Sequence, residues 1–165
     1  MAIVAFALAS AAGAQRLSNE HENTLRQIAT IDLPGPKGKR FDYLTIDHGD
    51  GYLLSAYLGA GILYVIDMKN NTVVHAIPDV PGVEGVVYVP ELHRVYTSDW
   101  LEGKIGVIDL KQMRIIAKLP TEAKPDGSAY AAPFHKVYVS DERGKAVAIV
   151  DVRSDRIVKT LHFQS

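Results

Sequence analysis

The amino-acid sequence predicts an all-β fold built of repeated four-stranded antiparallel sheets, and three observations predict it. Two aliphatic residues followed by Asp recur as Val65-Ile66-Asp67, Val107-Ile108-Asp109 and Ile149-Val150-Asp151, at a constant step of 42 residues. Short β-branched runs alternate in polarity and stop at turn residues about every eight to twelve positions, which is strand spacing. Amphipathic helical spacing is absent from the body of the chain.

The chain has 165 residues, 18.0 kDa in mass, 47% apolar and 22% charged, with a formal net charge of -1. That suits one domain with a sizeable core. With 18 Lys and Arg against 19 Asp and Glu there is no overall basic field, so no nucleic-acid partner is expected. The absence of Cys excludes disulfides, thiolate metal sites, covalent haem attachment and cysteine nucleophiles.

Residues 1–14, MAIVAFALASAAGA, form an uncharged apolar run ending in the small-x-small pattern of a cleavable leader. The run is too short for a permanent span, which needs about 20 apolar residues, so a periplasmic or secreted location follows as an expectation. No Lys or Arg precedes it, unlike the usual leader, and a buried N-terminal helix is the competing reading. Residues 15–24 read as a linker, and 25–33 as one extra N-terminal strand.

Three units follow, at about 41–78, 83–120 and 125–163. Leu53-Leu54-Ser55-Ala56, Val95-Tyr96-Thr97-Ser98 and Val137-Tyr138-Val139-Ser140 keep the same ungapped register. The second unit shows the quartet most clearly, with strands at 85–89, 94–98, 104–109 and 114–119. Four-stranded antiparallel sheets recurring every 42 residues are the blades of a β-propeller, so the prediction is a partial β-propeller of three blades plus the extra strand.

The segments Val95-Tyr96-Thr97-Ser98-Asp99 with 104–109, and Val137-Tyr138-Val139-Ser140-Asp141 with 146–151, resemble the YVTN-repeat propeller family. Phe41-Asp42-Tyr43-Leu44, Gly82-Val83-Glu84-Gly85 and Lys124-Pro125-Asp126-Gly127 are similar to the strand openings of its exported YncE-like members. Asp99 and Asp141 stand where the family has Asn, and the first unit carries Tyr57-Leu58-Gly59 there. The resemblance implies a ring of about seven blades. Three blades therefore read as the N-terminal part of a longer ring, or as a chain that closes by self-association.

Asp42, Glu84 and Asp126 open the first strand of successive units and are expected to face the central channel. Three such acids repel unless water, basic side chains or a cation compensates them. Oxygen-only ligands suit calcium or magnesium, so these residues are the candidate metal ligands. Hydration or backbone hydrogen bonding is the alternative. The loops after the second strands are expected on the same face, which makes Asp99, Trp100, Glu102, Asp141 and Arg143 candidate ligand-binding residues. Residues 36–40, with two Lys and an Arg, read as a solvated basic loop. Asp67, Asp109 and Asp151 are expected to brace turns.

No nucleophile, base or cofactor motif stands out, so no catalytic residue is assigned. The expected function is a non-enzymatic module binding a small molecule, peptide or surface protein at the acid-rimmed face. A metal-dependent hydrolase or lyase using the channel-mouth cation is the alternative, and a haem or quinone redox propeller ranks below both.

Overall fold

The computed structural model describes residues 25–164; the expected leader and linker lie outside them. The described residues form twelve strands in three antiparallel sheets, each with its strands in sequence order, so every connection within a sheet is a local hairpin. Blade 1 holds β1 (Leu44–Asp47), β2 (Tyr52–Tyr57), β3 (Ile62–Asp67) and β4 (Thr72–Ile77). Blade 2 holds β5 (Val83–Val89), β6 (Arg94–Asp99), β7 (Lys104–Asp109) and β8 (Arg114–Pro120). Blade 3 holds β9 (Pro125–Ala131), β10 (Lys136–Asp141), β11 (Ala146–Asp151) and β12 (Arg156–His162). The chain is a partial β-propeller. No helix among the described residues is long and apolar enough to cross a membrane.

Alternation along the strands decides how the blades stack. Leu54, Leu63 and Val65 of blade 1 meet Val86, Val95 and Ile108 of blade 2 in one buried cluster. Tyr96, Ile105 and Val107 on the other face of blade 2 meet Val137, Val139 and Val150 of blade 3 in a second. A fully buried side chain of this size stabilises by about 2 kcal/mol, so these two seams hold the sheets in their radial order. A polar tie reinforces the second seam: Asp155 accepts hydrogen bonds from the Tyr96 hydroxyl at 2.5 Å and from Arg94 at 2.6 Å.

Asp67 accepts the N-H groups of Lys69 and Asn70 at 2.7 and 3.1 Å, and Asp151 those of Arg153 and Ser154 at 3.0 and 3.2 Å. Asp109 accepts the Gln112 N-H at 3.0 Å. The recurring Asp thus closes the hairpin between the third and fourth strands by supplying a side-chain acceptor to turn amides. Each of those hairpins also carries a register shift at the same place, Val65/Ile66, Val107/Ile108 and Ile149/Val150.

Residues 25–33 correct one expectation, because they form no strand. A strand exists through ladder bonds to a neighbour, and this segment has none among the described residues. The chain instead runs over the outer face of blade 1, where Ile31 and Leu33 pack on Tyr57, Tyr64 and Ile66. The Tyr64 and Tyr57 hydroxyls donate to the carbonyls of Pro34 and Pro36, and Phe41 stacks on Tyr57 with ring centroids 4.2 Å apart.

Candidate functional site

At the end of the blades where the first strands begin, a cavity of about 520 Å3 opens. Asp42, Glu84 and Asp126 line it together, one from each blade. Two of them owe their placement to backbone irregularities. The β5–β6 ladder breaks register between Val83 and Val86, and the β10–β9 ladder between Val139 and Asp141, opposite Pro125 and Ser128. The acids therefore stand in bulges, which unpair a residue and re-aim its side chain. Glycine follows each of these two, and after Glu84 it is needed: a Cβ on Gly85 would overlap the Asp126 carbonyl oxygen, whereas one on Gly127 would meet only ordinary contacts.

The three acids are partly compensated from within the chain. Arg40 reaches Asp42 at 2.9 Å and Glu84 at 3.4 Å, with its own side chain 65% exposed. Burial, and then the carboxylates of Asp126 and Asp42, push the Glu84 carboxyl up to about 7, with Arg40 opposing. The basic loop thus contributes one residue to the mouth, where sequence reasoning assigned all of it to solvent. Its signal was the need for a counter-charge beside three acids.

The opposite wall belongs to loops. Trp100 and Leu101 come from the β6–β7 turn and Glu142 from the β10–β11 turn 42 residues later. The Trp100 indole N-H donates to Glu142 at 3.1 Å. Lys124 lies 4.4 Å and Arg143 5.6 Å from its ring centroid, close enough for cation-π attraction. Tyr43 and Leu58 complete the apolar lining.

Three of the loop candidates lie elsewhere. Asp99 and Asp141 end strands β6 and β10 and are 0% and 5% exposed. Asp141 accepts the N-H groups of Ala123, Lys124 and Gly144, each at 2.8 Å, and so braces the entry to its blade. Asp99 accepts one bond, from the Thr97 hydroxyl at 2.9 Å, and its Oδ2 has no partner among the described residues. Burial pushes its carboxyl up to about 7, with only weaker opposition from Thr97 and Lys118. Glu102 points away from the mouth, bound to Lys104 at 2.6 Å and to Lys118. Of the five ligand-binding candidates, Trp100 lines the cavity and Arg143 lies against its ring.

The expected metal centre also needs correction. Asp42, Glu84 and Asp126 share the cavity, yet among the described residues no three His, Asp or Glu side chains form a group that would hold a metal ion. The Arg40 guanidinium bridges two of the acids, the position in which an ion would need both.

No family model matches the sequence, and no curated protein matches it. Solved structures do match in fold. The hydrazine synthase of Kuenenia stuttgartiensis superposes with a TM-score of 0.69 at 13% identity, over 80% of this chain and 40% of that one. The dihydro-heme d1 dehydrogenase NirN, solved in complex with DHE, gives 0.64 at 18% identity, over 77% of this chain and 29% of that one. This chain therefore spans less than half the length of either protein, and the likeness extends to the fold alone.

Proposed function

We propose that this chain belongs to an exported YVTN-type, YncE-like propeller and acts as a non-enzymatic binding module through its acidic mouth. One observation carries the reading: carboxylates from three successive blades converge in a single cavity beside Trp100. Asp42, Glu84, Asp126 and Glu142 outnumber Arg40 on the lining, so the favoured ligand is cationic, with an apolar portion to lie against the indole. A basic peptide side chain or an organic polyamine has that chemistry. The exported location rests on the leader-like run at 1–14.

Trp100 is the sole Trp of the chain, so its fluorescence reports on this wall. Titration with an acetylated, amidated Lys-Gly-Lys peptide should change the emission saturably. Replacing Glu84 by Gln and Asp126 by Asn together should weaken the interaction at least about tenfold, the loss of two charge-assisted contacts. An emission unmoved by the peptide, or moved equally in the double variant, would refute the reading.

A further inference from the structure

At the other end of the strands, a second cavity of about 220 Å3 lies where the β1–β2 turn of blade 1 meets the β5–β6 turn of blade 2. Asp47, His48 and Gly49 line one side, and Tyr88, Pro90 and His93 the other. The next seam has the same frame with the space filled. There Glu91, 42 residues after Gly49, accepts a hydrogen bond from Tyr130 and lies 3.4 Å from His135 Nδ1. Tyr130 and His135 are the counterparts of Tyr88 and His93. Between blades 1 and 2 the filling side chain is missing because its position is Gly49.

What surrounds the space has also changed. Asp47 stands where blade 2 has Val89, placing a carboxylate at 0% exposure beside the cavity. Its Oδ1 accepts the N-H groups of Gly49 and Asp50 at 2.8 and 3.2 Å, while Oδ2 makes no hydrogen bond of ordinary geometry among the described residues, the Tyr88 hydroxyl interacting only loosely with the carboxylate. His93 Nδ1 is likewise buried without a hydrogen bond, 3.6 Å from Asp50 Oδ2. Leaving such atoms unsatisfied is costly, and a ligand that satisfies them recovers part of that cost.

We infer that this cavity binds a primary ammonium group carried on a short alkyl chain. The buried Asp47 oxygen and the unpartnered His93 Nδ1 offer acceptors at the cavity wall, and an ammonium supplies three N-H donors from one compact charge. No Lys or Arg lines the cavity to compete, and Asp47 opposes an anion. Ile46, Pro90 and the Tyr88 ring offer apolar surface for the alkyl portion. The site is separate from the acidic mouth and stands or falls without it.

The test is a titration of the full chain with n-propylammonium chloride at constant ionic strength, following the His93 imidazole resonances by NMR. Tetramethylammonium, which has no N-H donor, is the control. Propylammonium should shift those resonances saturably and tetramethylammonium should not. Asp47→Asn keeps the Oδ1 turn acceptor but turns the Oδ2 position into a donor, and should weaken binding at least about tenfold. Gly49→Gln should abolish binding by filling the space; a Cβ there comes no closer than 3.3 Å to Asp47. Trp100→Ala should leave binding unchanged. Resonances that stay still, that respond equally to tetramethylammonium, or that titrate identically in Asp47→Asn would overturn the inference.

Discussion

Asp99 and Asp141 sit at equivalent ends of strands β6 and β10, 42 residues apart, and both are buried, yet they live in opposite environments. Asp141 is held by three backbone N-H groups. Asp99 receives none of the three equivalent bonds, and one of the donors is lacking outright, because the chain carries Pro81 where blade 3 has Ala123 and proline has no N-H. The following residue, Gly82, adopts φ 68°. The Asp99 carboxylate lies instead between Thr97 and Gly106, where a Cβ would crowd both Thr97 and Asp99. An identical residue at an identical repeat position is therefore a brace in one blade and a proton-holding buried acid in the other. The difference lies in its partners.

The largest effect expected from this comparison follows from removing the brace. Asp141→Ala leaves three amides without their acceptor in a nearly buried site, and should destabilise the chain by about 4 kcal/mol in denaturant unfolding. A loss below about 1 kcal/mol would mean that water replaces the carboxylate and that the two aspartates differ less than their geometry implies.

Next in size is the pH response of Asp99. Its native carboxyl titrates at about 7 against 3.8 for the free group, so between those values the native state holds more protons than the unfolded state. The stability linked to this group is complete below pH ~4 and is lost as pH rises towards 7, flattening above. Asp99→Asn should remove most of that slope and stabilise the chain at pH 8 by about 2 kcal/mol, allowing for relaxation around the charge. Glu84, raised in the same direction, should supply the slope that remains. Unfolding curves at pH 5, 6, 7 and 8 check this; an unchanged slope in Asp99→Asn would assign the titration elsewhere.

The smallest effect is the most specific. Pro81→Ala provides an N-H where Ala123 has one, and should lower the Asp99 titration midpoint by about one unit in carboxyl-carbon NMR. The overall stability should change by less than about 1 kcal/mol, because the bond gained opposes the added freedom of the unfolded chain. If the midpoint stays near its wild-type value, the missing proline N-H does not explain the contrast.

These residues also divide what was legible in the sequence from what was not. The quartets of strands, the hairpin-closing role of Asp67, Asp109 and Asp151, and the common level of Asp42, Glu84 and Asp126 follow from alternation, turn chemistry and a constant repeat step. The strands and turns depend on residues within a few positions of one another, and the constant step of 42 copies that local pattern from blade to blade. The misplacement of Asp99 and Asp141 has a simple source: their register puts them at the loop edge, but nothing nearby states whether the carboxylate turns outward or inward. The extra strand failed for a similar reason, since the partner that makes a strand is never local.

Sequence alone determined the repeat, the hairpin order and the end of the blades at which the acids open, because alternation and tight turns are short-range properties of the backbone. Tertiary structure alone decided which charges meet. Arg40 compensates Glu84 from 44 residues away, Ala123 braces Asp141 from 18, and Gly49 leaves a space between two blades whose equivalent is filled at the next seam. Burial and hydrogen-bond supply set the proton affinity and reach of each carboxylate, and both arise only when the blades stack.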